Sequence, residues 1–157
     1  MDSSIRADFV LATTDDLPTL VGMMPGVYAY EGDMPDVDRW AAAAMELIQH
    51  PDQGRIWIIH LDGKAIGYLA ATYGFSLEFY GRGIVIDELL VDEAYRSQGI
   101  GRQAIEFIEG FARSQSLHSL TLDVDITNVR GQQFYQVRGF QYYPHMHIMN
   151  KQLEGDK

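Results

Sequence analysis

The sequence predicts a mixed α/β fold: a central, mostly antiparallel sheet with helices on both faces. Three observations predict it. Strand-like and helix-like runs follow one another in the order βααββ-β-α-β-α-ββ, so neither class dominates. Two β-rich runs, Arg55 to Leu61 and Lys64 to Thr72, are joined by Asp62-Gly63. Both turn positions tolerate φ > 0, which makes an antiparallel hairpin. Further on, a strand, a long amphipathic helix and another strand follow in succession, the pattern of a crossover. The 157 residues amount to about one domain, and 1–157 is read as a single one.

Each element has its own signal. Phe9 to Ala12 reads as a short strand. Thr13-Thr14-Asp15-Asp16 starts a helix that runs to about Val21, with a capping hydroxyl and acids in the positive first turn. A loop is expected from Pro25 to Pro35. Asp36 to Gln49 is helical, with Trp40, Ala44, Leu47 and Ile48 on its apolar face, and His50-Pro51 ends it. Phe75 to Gly83 is a connection. Ile84 to Val91 is apolar enough for a central strand buried on both sides, so the acidic pair Asp87-Glu88 in its middle is unusual. From Gly99 to about Gln115, Ile100, Ala104, Phe107, Ile108 and Phe111 recur at helical spacing. Leu120 to Val124 is a strand, and Asn128 to Val137 a short helix closed by Gly139. Phe140 to Tyr143 and His145 to Asn150 are expected as final strands. Trp40 and Trp57 read as core. His145 and His147 read as edge-strand histidines; no third ligand stands at metal spacing, so no metal is expected.

Composition excludes several classes. A hydrophobic share of 46% can close a core, which argues against disorder. Without cysteine there is no disulfide, thiolate nucleophile or iron–sulfur cluster. A net charge of −10 makes a poor nucleic-acid binder, since phosphate contacts need Lys and Arg. That charge is uneven. Residues 1–80 hold 4 basic and 12 acidic side chains, whereas 81–157 hold 8 and 10. Met1 to Ser4 has neither a basic nor an apolar signal region, and the longest near-continuous apolar stretch, Ala65 to Phe75, is far short of the ~20 residues of a membrane span. A cytoplasmic protein with no membrane partner is expected.

The window Val91 to Arg102 carries the most chemistry. A strand exits into a polar turn and then runs through Arg96-x-x-Gly99-x-Gly101 into a helix. Glycines at a helix start let backbone N–H groups approach a ligand, and the helix terminus adds partial positive charge. With Arg96 and Arg102 this makes a pyrophosphate cradle; the competing reading is a tight turn and nothing more. Gly99-x-Gly101-x-x-Ala104, with Asp123 further on, also spells a dinucleotide fingerprint. That reading fails, because seven residues, Asp92 to Gln98, separate the strand from the first glycine.

This window resembles the acyl-CoA signature of the GNAT-type N-acetyltransferase superfamily: Arg/Gln-x-x-Gly-x-Gly/Ala after a strand ending in Leu-x-Val. Asn128, then Phe134-Tyr135, then Gly139-Phe140 is similar to the family's second motif. Gly131 departs from it, since alanine is usual there. The acidic strand most resembles the small-molecule amine branch. The resemblance implies a splayed central strand pair that binds acetyl-CoA as co-substrate. It implies that Leu89, Leu90 and Val91 hold the pantetheine arm, that Ser97, Gln98, Gly99, Ile100, Gly101 and Arg102 hold the pyrophosphate, and that Asn128 binds the arm or orders its loop. Tyr135 is implied as the acid that protonates the departing thiolate, against a plain core tyrosine. Asp87 and Glu88 are the base candidates, with neither preferred and a salt-bridge role as the competing reading.

Glu31, Asp33, Asp36 and Asp38, with Tyr28 and Tyr30, crowd the loop that the resemblance places beside the acceptor. They suit a cationic amine, or are simply a solvated face. The implied activity is acetyl transfer to a primary amine of a small, cationic acceptor by direct attack. The rival readings are a protein-acetylating enzyme and a non-catalytic acyl-CoA sensor. Members of the family often dimerise, which leaves a homodimer open.

Overall fold

A computed structural model describes residues 5–29 and 33–153. The chain forms one compact unit up to Asp123 and a second from Val124. The first unit runs β1 (Asp8–Leu11), a turn of 3₁₀ helix (Thr14–Asp16), α1 (Leu17–Met23), α2 (Pro25–Tyr28), α3 (Val37–Gln49), β2 (Gly54–Leu61), β3 (Lys64–Ser76), β4 (Gly81–Val91), a second 3₁₀ turn (Glu93–Tyr95), α4 (Ile100–Ser114) and β5 (Leu120–Leu122). The second unit holds α5 (Val129–Gln136).

The sheet order is β1-β2-β3-β4-β5. Its first three pairings are antiparallel and the last, β4 with β5, is parallel. Helices cover both faces, as the sequence predicts. On one face Leu20, Ala44, Ile56, Ile58, Tyr68, Ala70 and Leu90 form a core, with Trp40, Leu47 and Ile48 of α3 packed on it. On the other, Ile59 and Ile66 meet Ile100 and Ala104 of α4. Trp57 is core as expected, lying edge-on to Phe107 and Phe111 at 5.3 and 5.0 Å. Each fully buried Ile or Leu here is worth about 1.5–3 kcal/mol of transfer free energy.

Four expectations need correction. The region read as one loop from Pro25 contains α2, with Pro25 at its first turn, where a missing N–H costs nothing. The connection Phe75 to Gly83 is largely paired: β3 and β4 continue to Ser76 opposite Gly81, because the facing backbones keep register past Gly74 and Gly83. β5 stops at Leu122 instead of Val124. Phe140–Tyr143 and His145–Asn150 form no strand. Strand propensity is realised only where a neighbour supplies a ladder and a face to bury, and Met146, Ile148 and Met149 are exposed.

Candidate active site

The site grows out of β4. Glu88 pairs with Ala70 and Ile86 with Ala71, so Asp87 opposes no residue of β3 and forms a bulge. An extra residue re-phases the strand, which is how bulges re-aim side chains. Before the bulge Ile86 shares a face with Ala71; after it Glu88 and Leu90 share the face of Ala70 and Tyr68, the face covered by α1 and α3.

Glu88 is the sole buried charged side chain among the described residues. A carboxylate survives there only if its oxygens are bonded. Tyr68 Oη donates to Oε2 at 2.6 Å, and Trp40 Nε1 to Oε1 at 3.2 Å. Tyr28 Oη also donates to Oε1. The geometry follows from register. Tyr68 pairs with Leu90, so it stands diagonal to Glu88, within reach of a long side chain. Ala70, directly opposite, is small enough to leave the space. Tyr28 arrives because α2 lies close on β4: a Cβ on Gly26 would stand 2.9 Å from Leu90 Cδ1. Burial, and then the neighbouring Glu88 charge, push the Tyr68 phenol well above the usual tyrosine range, so it remains a donor.

Asp87 behaves differently. The residue is exposed, yet its carboxyl group is partly desolvated against the strand. That desolvation, followed by the charges of Glu88 and Asp123, raises its pKa above the ordinary carboxylate value. It sits where the sheet divides. β4 and β5 pair only from Ile84–Leu120 to Ile86–Leu122, and beyond that rung β4 keeps β3 alone.

The backbone beyond the bulge alternates. Asp92 N–H bonds Ile66 C=O of β3 at 2.7 Å, so Leu90, two residues back, also turns its N–H to β3. Leu89 and Val91 turn theirs to the opposite edge, which β5 has left. Val91 C=O accepts from Arg96 Nε at 2.8 Å, which folds the next turn back on the strand. Asp92 caps the short 3₁₀ turn through Ala94 N–H at 2.9 Å. Ser97 at φ +62° and Gly99 at φ +83° then swing the chain into α4. Gly99 is the N-cap of α4; it presents no side chain, and space is open around it. Gln98, Gly99 and Arg102 are exposed, whereas Ile100 is buried and anchors the helix. Arg102 lies 3.7 Å from Glu106 in a solvent-exposed pair. An open strand edge leading to a helix start with N–H groups outward can hold a ligand that has an amide-bearing arm and an anionic end. An acyl-CoA has both, and these donors fit it.

In the second unit, Asn128 caps α5 by accepting from Gly131 N–H at 2.9 Å. A Cβ on residue 131 would stand 2.5 Å from the Asn128 amide, which gives the departure from alanine a local cause. Gln132 Nε2 ties the preceding loop together by donating to Asp125 C=O at 3.1 Å and Ile126 C=O at 2.8 Å. Tyr135 meets the rings of Phe134 and Phe140 at 5.0 and 5.6 Å. Burial raises its pKa, with Arg138 opposing, so the phenol keeps its proton at neutral pH.

Of the acceptor-loop residues, Asp33 is exposed and Asp36 serves as the N-cap of α3, accepting from Arg39 N–H at 2.9 Å. Tyr30 and Glu31 lie outside the described residues. The sequence alone does not single out Tyr68 or the polar role of Trp40, whose place on an apolar helix face points only to core. The one available signal was period 2: Tyr68 shares a face with Ala70, but its partner across the sheet cannot be read from one strand.

A family model, the Acetyltransferase (GNAT) family, matches residues 20–140. The chain belongs to this family of acyl-CoA-dependent acetyltransferases. An uncharacterised N-acetyltransferase of Methanocaldococcus jannaschii is 24% identical over 104 residues, which cover 66% of this chain and 46% of that protein. The chain thus spans under half the length of that relative. One from Archaeoglobus fulgidus is 26% identical over 133 residues, covering 79% of this chain and 86% of that protein. Among solved structures, the aminoglycoside N-acetyltransferase AAC(6')-Iy in complex with CoA is similar at a TM-score of 0.77, with 18% identity, covering 96% of this chain and 98% of that one.

Proposed function

We propose that this chain transfers the acetyl group of acetyl-CoA to a primary amine of a small cationic acceptor, by direct attack in a ternary complex. The observation that carries the reading is the course of β4. An acid of raised proton affinity stands where the sheet opens, and an open backbone edge leads from there to the start of α4. Leu89 and Val91 hold the pantetheine arm through backbone groups, and the turn from Ser97 into Ile100 and Gly101 holds the pyrophosphate. Acetyl-CoA supplies an activated thioester, whose C–S bond breaks as the C–N bond forms.

The roles of the acids divide. Asp87 is the base, taking the proton that the acceptor's ammonium must lose; it is exposed and its own affinity for a proton is raised above the ordinary carboxylate value. Glu88 already accepts three hydrogen bonds, from Tyr28, Trp40 and Tyr68. Tyr135 gives its proton to the departing thiolate, a role supported by the family motif and by a phenol that stays protonated. Tyr135→Phe lowers kcat by about a hundredfold while acetyl-CoA affinity holds. The acidic first half favours a cation, and the similarity in fold to an aminoglycoside N-acetyltransferase supports that reading.

The test is coenzyme A release against a panel of polyamines, aminoglycosides, neutral amines and a Lys-rich peptide. Turnover is expected with the small cationic amines. Turnover of the peptide alone moves the reading to protein acetylation. Acetyl-CoA binding with no turnover on any member makes the chain a sensor.

A further inference from the structure

Two aspartates stand one residue past the last rung that joins β4 to β5. Ile86 and Leu122 form that rung, where paired strands lie about 4.8 Å apart; Asp87 follows in β4 and Asp123 just past the end of β5. Each follows a residue of that last rung, so the two carboxylates start from adjacent backbone positions where the strands part. Both are exposed, so water and a ligand reach them.

We propose that Asp123 is a positioning residue for the transfer reaction, acting through Asp87 as its carboxylate neighbour across the β4–β5 fork. The inference rests on Asp87 being the base. Like charges side by side favour the protonated form of one of them. Asp123 is among the causes that raise Asp87, behind desolvation and Glu88. Among the described residues, the charged groups bearing on Asp87 are Glu88 and Asp123. Glu88 adjoins it in β4, Asp123 follows the last residue of β5, and β3 brings Ala70 and Ala71 to either side of its bulge. Tyr68 of β3 and Tyr28 of α2 bond Glu88, and the Asp87 charge helps keep the Tyr68 proton in place. Glu88 is fixed by its three donors, so Asp123 is the neighbour whose charge can be removed without disturbing the core. A stronger base accepts the ammonium proton more readily, provided it is still ionised at working pH.

The experiment is the titration of the Asp87 carboxyl carbon by NMR, without acetyl-CoA, in wild type and in Asp123→Asn and Asp123→Glu. It is paired with the pH profile of kcat/KM for a reactive amine. Asp123→Asn is expected to move the Asp87 midpoint and the acid limb to lower pH, and Asp123→Glu to return both toward wild type. An unmoved Asp87 midpoint in Asp123→Asn overturns the inference, whatever the rate does. The underlying reading fails separately: if Asp87→Asn keeps the wild-type kcat, Asp87 is not the base.

Discussion

The two ends of the β4 exit are made of different material. Toward α4, the structure presents main chain: the open edges of Leu89 and Val91, a left-handed Gly99 and a helix start. Toward α2 and α3, it presents side chains: Glu88 gripped by Tyr28, Trp40 and Tyr68. Backbone recognition needs only a local conformation and tolerates many side chains. A gripped carboxylate needs four residues from four elements, and loss of any of the three donors leaves a buried charge short of a partner.

Asp87, at the fork between the two, gives the largest effect. Asp87→Asn is expected to lower kcat by ~10²–10⁴-fold in coenzyme A release. The same variant gains thermal stability at neutral pH. Folding raises the Asp87 pKa, so ionisation opposes the fold above that pKa, and an uncharged Asn removes the opposition. The gain fades as pH falls through the raised Asp87 pKa toward the ordinary carboxylate value, and it is gone below about 4, where the carboxyl is protonated in both states. Melting curves of both proteins across pH 3–8 check the sign; a variant that is less stable at neutral pH contradicts it.

Gly99→Val tests the backbone end. A β-branched residue at φ +83° is strained by about 1–3 kcal/mol, so acetyl-CoA affinity falls by roughly tenfold to a hundredfold in a binding titration. Tyr68→Phe tests the side-chain end. It strips Glu88 Oε2 of its donor and costs about 1–3 kcal/mol in denaturant unfolding. Acetyl-CoA affinity stays near wild type, since Tyr68 touches the other end. Gly131→Ala gives the smallest change. It gains about 1 kcal/mol of helix propensity and loses about as much from the displaced Asn128 cap, so the melting temperature moves little.

The same contrast explains what could be read from the sequence. The α4 turn was legible because Gly99, Gly101 and the Ile100–Phe111 periodicity are local and adjacent. The hairpin at Asp62-Gly63 was legible for the same reason, and β2 and β3 turn there. The grip on Glu88 was not, because its donors lie 60, 48 and 20 residues away and meet through register and a bulge. The bulge itself left no mark in composition, so simple alternation could not say which acid of Asp87-Glu88 faces the core. The strands expected after Gly139 show the opposite error: apolar alternation was present, and a ladder to realise it was not.

The division between the two ends is tested most directly by the acetyl-CoA dissociation constant of wild type, Gly99→Val and Glu88→Gln, measured by calorimetry at one pH. Gly99→Val is expected to bind at least about tenfold more weakly, and Glu88→Gln to stay within about twofold of wild type. Wild-type affinity in Gly99→Val, or a loss confined to Glu88→Gln, would contradict it.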